Sequence, residues 1–412
     1  MVNEKKYFCR VCDTEVEVAI DFGMMPIANN LLLNNVKSHS DEYKYHMRTA
    51  CCGKCGCFQV LDVPEKNLMF NKNYAYFASQ SVFMLKHFRG LANYILDNHI
   101  KNAEDYVLDL GSNDGIFLKN FAEKKVKHIG IDASENVVQE SLNKGINAVC
   151  SFFNPQLTKK IRISMGKAKV IVSTNTMHHI EKCHEVLEGM SDLLSDDGLI
   201  IIEDPYLLDM LDLASFEQIY AEHNFIWCLN SYKKLFVQHN LYLNRVEHFP
   251  LHGGSMRYFF SRNDNSDESV EKYLKLENQY SVKKKETYLS FKSNSELMCK
   301  NLKNFLEEKK AEGKTICGYG ATAKSATILN FAKIDSSLIS CIYDSTPIKI
   351  NKLTPGSHIV IKNPEEFVDD DYDYTILFAW NHKEEIIKKE TKNGSKTHWV
   401  EYIPEINIIN ES

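Results

Sequence analysis

Tyr106-Val-Leu-Asp-Leu-Gly-Ser-Asn-Asp-Gly115 is the stretch that most limits what this chain can fold into. An apolar run carrying an acid, a glycine-bracketed turn and the helical pattern of Ile116–Lys124 read as a buried parallel strand, a tight turn and a helix. Gly111 and Gly115 let the backbone bend and let a ligand come close. A second apolar run, His128-Ile-Gly-Ile-Asp132, also ends in an acid. In a doubly wound sheet, an acid at the end of the second strand holds the two hydroxyls of a ribose. The spacing resembles a dinucleotide site, but G-x-G-x-x-G is missing.

A chain of 412 residues has room for two or three domains. Its 44% hydrophobic and 25% charged residues are ordinary for a globular protein. The net charge of −6 and the lack of a basic tract argue against a nucleic-acid partner. No apolar run reaches membrane-spanning length, and Met1–Arg10 lacks a signal-peptide core, so no membrane partner and a cytoplasmic location are expected. In that compartment the twelve cysteines are thiols or metal ligands.

Six of them fall within the first 57 residues. Cys9-Arg-Val-Cys12 and Cys52-Gly-Lys-Cys55 are two C-x-x-C knuckles that can set four thiolates around a structural Zn2+. Cys51 and Cys57 compete for the second knuckle. The spacer segment Asp21–Asn29 reads as a loop with little regular structure. Tyr74 and Tyr76 lie in an aromatic, hydroxyl-rich segment, where lobe packing explains them as well as ligand binding does.

Strand and helix then alternate. Asn147–Cys150 reads as a third strand, with Phe152 just beyond it as a rest for an adenine. Lys169–Thr174 is a fourth strand, ending at Asn175-Thr-Met-His-His-Ile180 on the side of the sheet where ligands bind. Either His178 or His179 is a candidate acid or base there. Ser195–Gly198 is a turn, and Gly198–Asp204 a fifth strand, again ending in acids. Tyr220-Ala-Glu-His223 is a proton-transfer candidate in which Glu222 could orient or charge His223, although such a cluster also serves as a plain helix start. His252-Gly-Gly-Ser255, with Gly254 and Ser255, offers backbone N–H groups to a phosphate or sugar, and is equally credible as a plain hairpin turn. Residues 271–312 read as a connecting helix pair. Gly318-Tyr-Gly-Ala321, opening a helix with Lys324 one turn on, suits a diphosphate, with Gly318, Gly320 and Ala321 in the turn.

Asp109-x-Gly-x-x-x-Gly115 resembles the first motif of class I S-adenosylmethionine (SAM) methyltransferases. That resemblance implies Asp109 on the methionyl amine and Asp132 on the ribose. Gly111, Ser112, Asn113, Gly115, Ala133, Phe152 and Asn175 would line the same site. Taken in order along nearly the whole chain, the motifs are similar to those of the nucleotide-sugar C-methyltransferases of deoxysugar biosynthesis. The resemblance implies an α/β fold: a Rossmann-like class I core, a zinc lobe over 1–72, the methyltransferase domain over 73–262, and a C-terminal Rossmann-like α/β domain over 263–412 that helps hold the nucleotide. It also implies a nucleotide-linked 4-keto-sugar as substrate and His223 as base, made more basic by Glu222. Tyr220, His179 and Tyr76 would surround the sugar. A methyltransferase acting on a sugar oxygen, RNA or protein, or a non-catalytic scaffold, are the competing readings.

Overall fold

A computed structural model describes residues 5–35, 38–69, 77–80, 82–251 and 253–409. The central sheet comprises β1 (Tyr106–Leu110), β2 (Lys127–Asp132), β3 (Ala148–Cys150), β4 (Ala168–Thr174), β5 (Leu194–Pro205), β6 (Tyr242–Phe249) and β7 (Ser255–Ser261). Its spatial order is 3-2-1-4-5-7-6. Strands β1 to β5 run parallel; β7 is antiparallel to β5, and β6 to β7. Every residue of β1 is buried, as a parallel strand covered on both faces must be. Phe88, Leu91, Ala92 and Ile95 of the helix Val82–Asn98 lie one helical turn apart and pack on one face of the sheet. Val186, Leu187, Met190 and Leu193 of Cys183–Leu193 cover the other. The strand order reverses between β1 and β4, which opens a crevice at their carboxyl ends.

Ser195–Gly198 is a bulge inside β5 rather than a turn between elements: Ala168 pairs with Leu194, and Val170 already pairs with Leu199. The N-terminal lobe also departs from expectation. Val18–Pro26 is a strand paired with Lys44–Cys51, not a loop. Register shifts between Val18 and Ile20 and between Asp21 and Met24 break the alternation that would have marked it. The same sheet continues through Phe58–Val60 to Phe225–Ile226, so a segment that follows β5 of the central sheet lends a strand to the lobe.

Two helices, Glu268–Gln279 and Lys285–Ala311, lead to a second α/β sheet. Its strands run Ile361–Lys362, Ile342–Tyr343, Ile316–Tyr319, Tyr374–Leu377, His398–Glu401, Asn407–Ile409, and only the last is antiparallel. Among the described residues no helix is long and apolar enough to cross a membrane.

Candidate functional site

Asp109 stands near the end of β1 and Asp132 at the end of β2, on the two sides of the crevice. Asp132 Oδ2 accepts the Asn113 amide at 3.0 Å and its Oδ1 the Ser134 amide at 2.9 Å, which fixes the carboxylate against the turn. Asp109 is 2% exposed, and its Oδ1 has no hydrogen-bond partner among the described residues. Burial, reinforced by the charge of Asp132, pushes it up to about 8. Burial thus favours the neutral acid, and an ammonium such as that of the sulfonium amino acid of SAM would favour its ionised form. Gly111, Ser112, Asn113, Ala133, Phe152 and Asn175 line the same space. Gly115 lies behind the turn, where a Cβ would meet Ile146 at 2.3 Å.

Gly111 has φ +81°, and a Cβ there would lie 1.9 Å from Thr176 Oγ1. Gly111→Ala therefore distorts the turn where β1 meets β4, with about 1–2 kcal/mol of backbone strain before the clash is counted. Titration calorimetry should show at least a tenfold weaker SAM affinity, about 1.4 kcal/mol. Asp132→Ala should lose SAM affinity by the same measurement.

At the crevice's edge three imidazoles gather. The ring centroids of His178 and His179 are 4.1 Å apart, those of His178 and His223 4.4 Å, and those of His179 and His223 5.0 Å. His179 lines the crevice, which separates the adjacent pair. His178 Nδ1 sits 2.6 Å from Asp204 Oδ1, while the Tyr232 hydroxyl donates to the other oxygen. His179 Nδ1 donates to the Glu222 carbonyl at 2.7 Å, leaving its Nε2 directed elsewhere. Tyr220 packs on His223 with centroids 3.9 Å apart and the rings tilted by 35°. Burial holds His178 and His179 at about 3. It also holds His223 well below its usual range, where a charge on His178, His179 or Lys324 would further oppose protonation.

The Glu222 carboxylate does not serve His223. It accepts the Asn29 amide at 2.5 Å, and burial pushes it up to about 7. The expectation that Glu222 raises the basicity of His223 is corrected: the surroundings keep His223 neutral and only weakly basic. Asn29, Asp204 and Tyr232 are site residues that sequence reading missed. The acid at the end of β5 was the one available signal for them.

The glycine turns are used for packing. Gly254 N donates to the Leu251 carbonyl at 2.7 Å, and a Cβ on Gly254 would lie 2.1 Å from Asp209. Ser255 Oγ donates to the same carbonyl at 3.2 Å. Gly318 lies inside its strand against Phe378, and Gly320, at φ +93°, against Ala379. The Ala321 carbonyl accepts Lys349 Nζ at 2.9 Å. Gly254 N, Ser255 Oγ and the Ala321 carbonyl thus have partners within the protein. Lys324 stands 4.9 Å over the ring of Trp380. Tyr76 and His252, like Tyr74, fall outside the described residues.

In the N-terminal lobe the knuckles close on each other. Cys9 and Cys55 sulfurs are 3.5 Å apart, as are those of Cys12 and Cys52, and all four lie within 4.8 Å of one another. Tetrahedral zinc–thiolate bonds of about 2.3 Å would place the sulfurs about 3.8 Å apart. The Val11 amide donates to Cys9 Sγ at 3.4 Å, as it would to a ligating thiolate. Cys51 instead donates to the Val282 carbonyl at 3.2 Å, and Cys57 is buried in the lobe's core outside the four.

Three family models match in sequence: a zinc binding domain over residues 9–70, a methyltransferase domain over 84–246 and a C-methyltransferase C-terminal domain over 250–404. The chain is 30% identical to the C-methyltransferase NovU of Streptomyces niveus over 97% of its own length and 96% of that protein's. It is 28% identical to a carboxy-S-adenosyl-L-methionine synthase of Nautilia profundicola over 28% of this chain and 50% of that one. A SAM-dependent methyltransferase structure from Clostridium acetobutylicum superposes with a TM-score of 0.34 at 12% identity, covering 46% of this chain and 94% of that one. The chain belongs to the C-methyltransferase family: it is a SAM-dependent C-methyltransferase with a class I core, a zinc-binding N-terminal domain and a C-terminal α/β domain.

Proposed function

We propose that this chain methylates the carbon next to the carbonyl of a nucleotide-linked 4-keto-deoxysugar in the cytoplasm, with His223 as general base. Its three domains would divide near residues 72 and 262. The observation that carries this reading is the buried imidazole cluster beside the donor crevice, where burial favours the neutral ring and Tyr220 packs on His223. A C–H bond next to a ketone is acidic enough for a positioned base, and a neutral imidazole is the form that accepts a proton. His223 takes that proton, and the C–H electron pair becomes an enolate. When bound, SAM supplies an electrophilic methyl, whose S–CH3 electrons stay on sulfur. Asp109 and Asp132 orient the donor, and Tyr220 and His179 hold the sugar. The NovU relationship supports carbon as the acceptor.

The test is a screen of nucleotide-linked keto-sugars with SAM, read by mass and then by NMR of the new methyl. A methyl on the α carbon is expected. Methylation on oxygen only, or of none of these sugars, would overturn the reading.

The pH profile gives a second check. Burial, with the charge of Lys324, lowers His223 from 6.5, so the neutral base persists into more acid solution. The acid limb of kcat/KM is expected below pH 6.5. A limb near 7 that survives in Glu222→Gln would contradict this assignment, since Glu222 is the local group pushed up to about 7.

A further inference from the structure

A proton on the carbon next to a ketone is far less acidic than an imidazolium, and burial makes His223 a weaker base still. The deficit falls on the enolate oxygen, which needs a positive charge aimed at it. The C-terminal domain brings one. Helix Ala323–Phe331 starts at Thr322, whose hydroxyl accepts the Ser325 amide at 3.1 Å. One turn in, Thr327 is 1% exposed and donates its hydroxyl to the Ile219 carbonyl at 3.0 Å. That bond fastens the helix to the strand of chain continuing into Tyr220, Glu222 and His223. Lys324 is three residues before Thr327, on the same helix face.

Around it the surroundings are built for a charge. Glu217 is fully buried; its Oε1 accepts the Trp380 indole N–H at 3.1 Å, and its Oε2 has no hydrogen-bond partner among the described residues. Burial pushes the Glu217 carboxyl up and lowers the Lys324 ammonium, and each charge draws the other back, with Lys324 Nζ 4.9 Å from the Trp380 ring centroid. Trp380 in turn presses on Gly253, where a Cβ would come within 2.6 Å of the indole. Glu217, Trp380 and the Gly253 turn thus surround the Lys324 ammonium, whose charge reaches His223.

We propose that Lys324 is a catalytic residue: its ammonium donates a hydrogen bond to the substrate's carbonyl oxygen and stabilises it as the enolate oxygen forms. This rests on the proposed function. The C–H bond breaks, its proton goes to His223, its electron pair forms C=C, and the carbonyl π pair moves to the oxygen held by Lys324. The carbonyl re-forms as the carbon takes the methyl. An ammonium has three donors, enough to serve a substrate oxygen together with a protein partner.

The test is Lys324→Met, with Glu217→Gln/Lys324→Met as the second variant so that no buried carboxylate is left without a cation. SAM binding by calorimetry verifies that each is folded. With the nucleotide keto-sugar that the wild type methylates, kcat is expected to fall by about 100-fold or more while KM changes only a few-fold. Substrate deuteration from D2O without SAM should fall equally. Unchanged kcat with raised KM would make Lys324 a ground-state holder and overturn the proposal, as would normal exchange in either folded variant. Failure of the wild type to methylate any such sugar would instead sink the underlying function.

Discussion

His223→Asn is expected to bind SAM with unchanged affinity and to lose turnover by about 100- to 10,000-fold, the range a positioned general base supplies. The two effects separate because the crevice is lined by His179 and not by His223. Asparagine keeps a polar, planar side chain next to Tyr220 and removes the basic nitrogen. Calorimetry measures the first effect and single-turnover mass analysis the second. Full turnover in a folded His223→Asn protein would remove His223 as base. Loss of SAM affinity would mean that the imidazole cluster is part of the donor site.

Removing zinc should have an equally large and more global effect. Cys9→Ser breaks one of four thiolates that come from two short turns and close on each other. Structural zinc supplies about 10–16 kcal/mol in zinc-finger peptides, which is folding energy for a lobe of this kind. The consequence reaches the catalytic segment: the Val60 amide donates to the Asn224 carbonyl at 2.9 Å, Phe225–Ile226 is a strand of the lobe's sheet, and Asn29 holds Glu222 at 2.5 Å. Metal analysis should find one zinc per wild-type chain and none in Cys9→Ser, with a lower melting temperature and loss of turnover. Cys57→Ser should keep its zinc, because Cys57 stands outside the cluster. A zinc-free, folded and fully active Cys9→Ser protein would contradict this coupling.

The crevice at the carboxyl ends of β1 and β2 was legible because its determinants are local. The acid in β1, the glycine turn and the acid ending β2 lie within one strand–helix–strand unit, so periodicity and spacing carry them. The strand Val18–Pro26 was hidden because its bulges interrupt alternation, leaving a pattern that resembles a loop. The polar wiring of the imidazoles was not legible at all. Glu222 is bound by Asn29, 193 residues earlier, and His178 by Asp204 from the neighbouring strand. Such partners are set by tertiary packing, and adjacency in sequence pointed Glu222 at the wrong histidine. The glycines at 318 and 320 show the same limit: a glycine needed for close strand packing and one needed for a phosphate look alike in a sequence.

Proton exchange tests the central claim most directly, because it isolates carbon acidification from methyl transfer. A nucleotide-linked 4-keto-sugar is incubated with the protein in D2O without SAM, and the α-carbon proton is followed by NMR. Enzyme-dependent loss of that signal, abolished in His223→Asn, is the predicted result. A signal that persists with wild-type protein, or that disappears equally fast with His223→Asn, would contradict it.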